Sequence, residues 1–446
     1  MPGPFAEALA RAVRDSRADD VPLLMGGALR TGEPWDEVAG AVLQAAAQTV
    51  DFSGGRNLHG VLSLIAAARL ARQVPPEAGY LPVGQSIYYL AGQPKWERPP
   101  RWVVRMAEGP PRDELDLPSA IALAAARDDP ALVEEAVRAI VHQASHFGGN
   151  WGHALIFATM TYDAGADLGW HVAAPLFAAC VEHVLPSDSD EAAHEAAWTV
   201  FEKGHLDFTR MAAAPPSRSG EDELEKLRKA LRRPSIEEAA ATVGGALERG
   251  VAPEVLLDGL ALAGADKMMR TSYGMSAAHA LTFAHAVRRA VAIQRDGCTV
   301  GAVAVAASFL GSQVEVYDRR AEGARAGPST AALPEPAAFE RLLRGGPLAD
   351  AVEAARAVSA AGRSADPEYV RAVVAAASAD DLILSVGINI KHAEAALAED
   401  RATQAPDRSA FLMGVAKHLV AGERGTGVRD RLARAAALHA RAPKAA

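Results

Sequence analysis

The sequence is poor in cysteine and in long apolar runs and has fewer basic than acidic residues, and each shortage argues against a class of protein. Two cysteines, Cys180 and Cys298, are too few for a disulfide framework, a four-thiolate zinc site or an iron–sulfur cluster. The formal charge of −9 argues against nucleic acid or an anionic membrane surface as a partner. The longest nearly uncharged stretch, residues 298–314, is shorter than the ~20 apolar residues of a membrane-spanning helix.

The chain also lacks the short motifs of several common enzyme classes. It contains no GxGxxG after a strand, no GxxxxGK[ST], no GxSxG and no CxxC, which argues against Rossmann redox chemistry, nucleotide hydrolysis and the α/β-hydrolase mechanism. The segment Met1–Leu9 lacks the charged and apolar regions of a signal peptide. We therefore expect a cytoplasmic protein with no nucleic-acid partner and no membrane insertion.

Helix-forming residues dominate what the sequence does contain. Alanine, leucine, glutamate and arginine are abundant, and apolar residues recur at three- and four-residue spacing in segment after segment. This periodicity predicts an all-α fold, a multi-helix array of antiparallel helices around a central cavity. The best strand candidate, Val314–Tyr317, is short. Helices are predicted to begin near residues 4, 37, 58, 117, 131, 152, 171, 190, 221, 235, 253, 276, 299, 348, 368, 380, 408 and 427.

Three stretches interrupt the helical pattern. Residues 74–102 are rich in proline, tyrosine and tryptophan and are predicted to form a long, aromatic loop. Residues 212–221 have the composition of a Pro/Ser linker, and residues 318–336 are rich in Ala, Gly, Arg and Pro. The chain is predicted to be either a single all-α domain over residues 1–446 or two helical halves, 1–211 and 222–446, joined by that linker.

One local arrangement occurs four times, about once in each quarter of the chain. A glycine lies four or five residues before a histidine, and that histidine begins an alanine- and leucine-rich helix. A histidine that begins an otherwise apolar helix points inward or lies at the rim of a cavity. If the four segments pack around one centre, four imidazoles meet there. The segments are Gly55–His59, Gly149–His153, Gly274–His279 and Gly387–His392.

Converging imidazoles predict a metal site. Neutral imidazole is a common ligand for iron, zinc, copper and nickel, and helical proteins assemble such sites from separate helices. The predicted ligands are therefore His59, His153, His279 and His392. The alternative is that each of these histidines is a helix cap or a half-buried polar residue. His285, six residues after His279, is predicted to line the same cavity and to act as a catalytic residue.

Lys391, which directly precedes His392, has two interpretations. As a neutral amine, or as a carbamate formed with carbon dioxide, it would bind the metal; otherwise it reaches solvent or pairs with Glu394 or Glu399. The i,i+4 pair His142 and His146 could also chelate a metal, but an ordinary helix face explains it equally. His171 is expected in the core. The histidines expected to be solvated are His183, His194, His205, His418 and His439.

Three of the histidine segments resemble those of the questin oxidase-like proteins. They are Leu58-His59-Gly-Val-Leu, Gly152-His153-Ala-Leu-Ile and His279-Ala-Leu-Thr-Phe-Ala-His285-Ala. The resemblance implies an all-α fold and the oxidative ring opening of polycyclic aromatic polyketides. It also implies a non-haem iron site of histidines, which corresponds here to His59, His153, His279 and His392, with His285 and a modified Lys391 as further members.

The combined prediction is a metal-dependent oxygenase that uses Fe(II) and acts on an aromatic or polyketide-like small molecule. The reaction would be ring cleavage or a Baeyer–Villiger-type oxidation. Two alternatives stay open: a non-catalytic α-helical scaffold, and a zinc-dependent hydrolase that uses the same histidines. The electron donor and the oligomeric state stay open as well. The substrate is expected to lie against the aromatic residues Tyr88, Tyr89, Trp96, Trp151 and Phe157.

Overall fold

Helices form the regular structure in the part of the chain that the computed structural model describes. That part comprises residues 2–53, 57–108, 116–126, 129–145, 152–187, 192–213, 221–232, 234–272, 275–312, 331–382, 385, 387–405, 408–422 and 425–441. Within it lie 23 α-helices and no strand, apart from an isolated bridge between Val50 and Lys95. The prediction of an all-α fold is confirmed.

The helices are numbered here in chain order. In the first half they are α1 (Pro4–Arg14), α2 (Val21–Thr31), α3 (Trp35–Thr49), α4 (Leu58–Ala71), α5 (Pro76–Ala91), α6 (Arg101–Glu108), α7 (Leu117–Ala126), α8 (Pro130–Ala144), α9 (His153–Leu168), α10 (Trp170–Ala179), α11 (Ala192–Gly204) and α12 (Phe208–Ala213). In the second half they are α13 (Glu221–Ala230), α14 (Ile236–Glu248), α15 (Pro253–Arg270), α16 (Met275–Ile293), α17 (Gly297–Ser312), α18 (Pro336–Leu343), α19 (Leu348–Ala360), α20 (Pro367–Ala377), α21 (Ile388–Ala402), α22 (Ser409–Ala421) and α23 (Gly427–Arg441). Short 3-10 and π-helical turns occupy Ala18–Asp20, Cys180–Val184 and Leu185–Ser187.

Most predicted helix starts agree closely with the structure, but two predictions are wrong. The start predicted near residue 380 is displaced, because α21 begins at Ile388. The loop predicted over residues 74–102 is largely helix α5, and Pro76 is its first residue. Proline fits that position because the first N–H groups of a helix have no intrahelical partner. The strand predicted at Val314–Tyr317 and most of the predicted linker lie outside the described residues.

The helices share a core built largely from small side chains. The main cluster of buried apolar residues extends from Ala6 to Leu432 and so includes residues of both halves of the chain. Gly264 of α15 lies so close to α16 that an added Cβ would be 3.1 Å from the backbone nitrogen of Leu281. Helix α17 is buried continuously over residues 299–310. None of the described helices has the length and apolar character needed to span a membrane.

Four helices pack in a closed cycle, and their first turns meet at one place. Helix α4 packs against α9, α9 against α16, α16 against α21, and α21 against α4. His59 and His153 lie in the first turns of α4 and α9, and His279 and Lys391 lie at the fifth and fourth positions of α16 and α21. This cycle positions the candidate site.

Candidate metal centre

Three histidines from three different helices of the cycle lie together. One ring nitrogen from each of His59, His153 and His279 is within 4.8 Å of the other two, and all three residues are at most 5% exposed. The Nε2 atoms of His153 and His279 are 3.1 Å apart. Two imidazole nitrogens bound to one ion at about 2.1 Å are separated by about 3.0–3.4 Å. The His153–His279 pair therefore has the separation of two ligands on one metal ion.

Two glycines in the left-handed region allow the site helices to approach one another. Gly152 (φ +72°) precedes α9, and an added Cβ would lie 2.3 Å from the ring of Phe283 in α16. Gly387 (φ +69°) precedes α21, and an added Cβ would lie 2.5 Å from Ser63 Oγ in α4. Only glycine adopts this conformation readily and leaves room for such contacts. Each glycine thus sets one close contact of the helix cycle.

Lys391 joins the histidines. Its Nζ contacts Nδ1 of His59, and the residue is 5% exposed. The proposal that Lys391 reaches solvent is therefore wrong. The two carboxylates considered as its partners are bound elsewhere: Glu394 pairs with Arg69 at 2.8 Å, and Glu399 pairs with Arg288 at 2.9 Å. Burial lowers the pKa of Lys391 from 10.5 to about 7, so a large fraction of the amine is neutral at neutral pH.

His392 is not a member of this group. Its ring faces His418 of α22, with the ring centroids 4.9 Å apart. Consecutive residues of an α-helix are rotated by about 100° from one another, so the turn that brings Lys391 toward His59 directs His392 toward α22. Burial lowers the pKa of His392 to about 3, which keeps the imidazole neutral. The geometry thus places the lysine where the sequence predicted the histidine.

Two further histidines differ from their predicted environments. His418 was expected to be solvated, but it is 4% exposed, and its pKa is lowered by burial and by the neighbouring His392 and Lys417. His171 was expected in the core, but it is exposed on α10. In the sequence His171 lies between Trp170 and Val172, whereas His418 lies between Lys417 and Leu419. Their difference in burial is set by the packing of the surrounding helices.

A small cavity adjoins the trio. Its volume is about 20 Å³, and its apolar wall includes Leu62, Ile156 and Met160. A bound water needs roughly 10–15 Å³ measured in the same way. The cavity therefore has room for about one water or one diatomic molecule beside His153 and His279, both of which line it.

His285 lines this cavity and is held by an ionised carboxylate. Its Nδ1 is 2.8 Å from Oε1 of Glu399, and Oε2 of the same carboxylate accepts a hydrogen bond from Arg288 Nε at 2.9 Å. Burial alone would raise the pKa of Glu399, but Arg288 and His285 hold it below its usual value. An ionised Glu399 keeps the proton of a neutral His285 on Nδ1 and leaves Nε2 as a proton acceptor.

Asp163, Arg289 and Glu394 form another part of the cavity wall, and they belong to a partly buried network of ion pairs that includes Arg69. Arg69 Nη1 lies 2.9 Å from Asp163 Oδ2 and 2.8 Å from Glu394 Oε1, and Arg289 Nε lies 3.2 Å from the same Asp163 oxygen. Glu394 is the main cause of a raised pKa for Arg69, despite the opposing effect of burial. Arg69, Asp163 and Arg289 belong to no sequence motif and meet only through tertiary packing, and Glu394, predicted as a partner of Lys391, binds Arg69 instead.

The aromatic residues proposed to bind substrate have packing roles in the described structure. Phe157 is fully buried against Phe52, with ring centroids 5.9 Å apart, and Trp96 stacks on His183 at 4.2 Å. Tyr88 and Tyr89 are partly buried on α5, and neither lines the cavity, nor do Phe157 and Trp96. Trp151 lies outside the described residues, as do His146, Gly55, Gly149 and Gly274.

Comparison with known proteins does not assign this chain to a family. No family model, no curated protein and no solved structure matches the chain. The resemblance to the questin oxidase-like proteins stays a prediction that rests on the short histidine segments.

Proposed function

We propose that this chain is a metal-dependent oxygenase that binds Fe(II) through His59, His153 and His279 and acts on an aromatic small molecule. The observation that carries the proposal is the buried trio, whose ring nitrogens lie within 4.8 Å of one another. The donor set fits a divalent transition-metal ion, because neutral imidazoles bind such ions and three protein ligands leave coordination positions open. The resemblance of the segment from His279 to His285 favours iron over zinc.

The electrostatics of the helix cycle support a role for Lys391 as a fourth ligand. The start of a helix carries a partial positive charge, and four helices begin near the trio. This charge favours neutral imidazoles and an anion beside them. Lys391, with a pKa of about 7 because of burial, is available as a neutral amine or as a carbamate. A carbamate would supply one negative charge next to His59.

The other residues of the cavity have roles that follow from their contacts. When bound, the iron supplies the redox chemistry with dioxygen. Leu62, Ile156 and Met160 limit the access of water to the cavity. His285, fixed by Glu399 at Nδ1, can accept a proton at Nε2 and return it. A polycyclic substrate is larger than the cavity of about 20 Å³.

The positions of the histidines argue against the alternative of a non-catalytic helical scaffold. A non-catalytic helical scaffold gives no reason for histidines from distant segments to meet in the interior. His59, His153 and His279 lie on three helices and meet with Lys391 of a fourth. This convergence favours a metal site over a scaffold.

Metal analysis of tag-free protein tests the proposal. After anaerobic loading with Fe(II) and removal of unbound ion, we expect stoichiometric iron in the wild type. His59→Ala, His153→Ala and His279→Ala should each lower the metal affinity by roughly 10-fold or more, because each removes a ligand. His171→Ala, which removes an exposed imidazole, is the matched control and should retain the iron.

Two outcomes would contradict the proposal. A wild-type protein that retains no stoichiometric transition metal after this loading has no metal centre. A protein that is active with zinc and consumes no oxygen on turnover is a hydrolase, in which the same trio holds a zinc-bound water.

A further inference from the structure

A second group of reactive side chains lies at the start of α17, and it shares no residue with the histidine trio. His142 of α8, Asp296 and Cys298 each place one atom within 4.8 Å of the other two. His142 Nδ1 is 2.6 Å from Asp296 Oδ2, and His142 Nε2 is 3.4 Å from Cys298 Sγ. The imidazole therefore stands between the carboxylate and the thiol, with one ring nitrogen toward each.

An imidazole placed between a carboxylate and a thiol favours a proton relay over a metal site. One ion binds only one nitrogen of an imidazole, and two ligands with bonds of about 2.0–2.3 Å are separated by about 3 Å or more. The 2.6 Å between Nδ1 of His142 and Oδ2 of Asp296 is a hydrogen-bond length. The thiol lies at the opposite nitrogen. A nucleophile, a base and a carboxylate that orients the base have this arrangement.

Asp296 is held firmly in its orienting position. It directly precedes α17, and its Oδ1 accepts the backbone N–H of Thr299 at 2.9 Å. Its Oδ2 accepts a hydrogen bond from Gln294 Nε2 at 2.8 Å in addition to its contact with His142. Burial alone would raise the pKa of Asp296, but the hydrogen bonds from His142 and Thr299 hold it below its usual value. The carboxylate is thus ionised, which favours the proton on Nδ1 of His142 and leaves Nε2 facing the thiol.

Cys298 needs such a base in order to react. Burial, followed by the neighbouring Asp296 charge, raises the pKa of the Cys298 thiol, so it is protonated at neutral pH. The site is accessible: the His142 side chain is 42% exposed, and Cys298 is partly exposed. The other cysteine, Cys180, is fully buried, and burial raises the pKa of its thiol. The chain thus carries its own unreactive reference thiol.

We propose that Cys298 is the nucleophile of a second reactive site, with His142 as general base and Asp296 as its positioning residue, and that the site takes esters or thioesters of small carboxylic acids. Sγ bonds to the carbonyl carbon while its proton moves to His142 Nε2. The bond from that carbon to the leaving oxygen or sulfur then breaks, and His142 returns the proton to the leaving group. Water attacks the resulting thioester in the same way and releases the acid and the thiol.

Acyl transfer is the reaction class that the surroundings favour. It needs no oxidant and no partner other than water. The oxygen of the attacked carbonyl becomes negative, and Cys298 lies at the start of α17, the helix end that carries a partial positive charge.

Reaction with 4-nitrophenyl acetate tests the proposal on the full-length protein. After chelation of bound metal, we expect a burst of 4-nitrophenolate and an acetyl group on Cys298, with none on Cys180, by peptide mass spectrometry. His142→Ala should slow acylation by about 100-fold. Asp296→Asn keeps an oxygen for the Thr299 N–H, so a loss of about 10-fold or more is expected at saturating ester, with KM unchanged. Thermal melting verifies that both variants are folded.

Three results would overturn the proposal. If the wild-type protein carries no acetyl group on Cys298 after the reaction, Cys298 is not a nucleophile. Equal acylation rates in the wild type and in His142→Ala mean that the histidine does not activate the thiol. A stoichiometric zinc ion that persists in the untreated His153→Ala variant but is lost from Cys298→Ser identifies a metal site in its place.

Discussion

At the scale of single residues, Lys391 and His392 are neighbours in the chain but occupy different environments. Lys391 contacts His59, whereas His392 packs on His418. We expect Lys391→Ala to weaken metal binding by about 10–100-fold, since it removes a group beside the ligands. His392→Ala removes a buried side chain of the same helix and should leave the affinity within about twofold, because its ring faces away from the trio. Metal titration of both variants measures the difference, and the reverse order would show that His392 is the ligand.

A second residue-scale prediction concerns the buried Glu399 and the pH dependence of stability. Its pKa in the folded protein lies below the ordinary value of 4.5, because Arg288 and His285 outweigh burial. A carboxylate of this kind stabilises the fold above its unfolded pKa, and this contribution is lost as the pH falls through the folded pKa. Glu399→Gln should therefore lower the free energy of unfolding at pH 7 by about 3 kcal/mol, because Arg288 loses a buried partner.

Urea unfolding at several pH values measures this effect. The difference between wild type and Glu399→Gln should shrink as the pH falls below 4.5. Glu248→Gln, a substitution at an exposed position of α14, should change the stability by no more than about 0.5 kcal/mol. A difference for Glu399→Gln that stays constant down to acidic pH would mean that the loss arises from packing and not from the charge.

At the scale of the elements, the glycine that precedes α9 connects backbone conformation with the candidate metal centre. Gly152 and Gly362 both have positive φ, but an added Cβ at Gly362 meets nothing within 4 Å, whereas at Gly152 it meets Phe283 at 2.3 Å. Gly362→Ala should cost about 1 kcal/mol from the left-handed backbone alone. Gly152→Ala should cost about 3 kcal/mol or more, since it adds a clash in the core.

The two glycine variants are also distinguished by their iron content. Gly152→Ala should lose iron because the displaced α9 carries His153 at its first position. Gly362→Ala, at a site in open space after α19, should retain it. Chemical unfolding and metal analysis of the pair measure both effects, and equal results in the two variants would contradict the role assigned to the Gly152 contact.

The sequence predicts the helices better than it predicts the loops between them. Helical periodicity placed the starts of α4, α9 and α16 because small and apolar residues recur there at 3.6-residue spacing. The prolines of residues 74–102 predict a loop, but Pro76 lies at the first position of α5, where proline is accepted. The glycine spacing does not identify the site residues by itself: His59, His153 and Lys391 follow their glycines by four residues, whereas His279 follows Gly274 by five.

At the scale of the whole molecule, the metal should act as a ligand that stabilises the fold. The trio comes from three helices that are distant in sequence, so an ion that binds them binds the folded chain in preference to the unfolded one. At a free metal concentration of 100 times the Kd, the stabilisation is about 2.7 kcal/mol. Anaerobic Fe(II) should therefore raise the Tm of the wild type and leave that of His279→Ala unchanged. Differential scanning fluorimetry measures this, and an equal rise in both proteins would indicate binding elsewhere.

The meeting of these helices could not be predicted from the spacing of the motifs. His59, His153 and His279 share a local pattern, but their convergence depends on close contacts such as Gly387 against Ser63 of α4. The ion pairs of Arg69 with Asp163 and Glu394 depend on the same packing. The relay of His142 with Cys298 joins residues 156 positions apart. Such contacts follow from tertiary packing, which local periodicity does not encode.

The contact between His59 and Lys391 has a consequence for how each copy of the protein is made. The two residues are 332 positions apart. A ribosome that adds about 5–20 residues per second takes roughly 20–70 s to proceed from the first to the second. During that interval α4 has been synthesised, but α21, the helix that carries Lys391, has not. The nascent chain therefore cannot bring Lys391 to His59 until α21 has been synthesised.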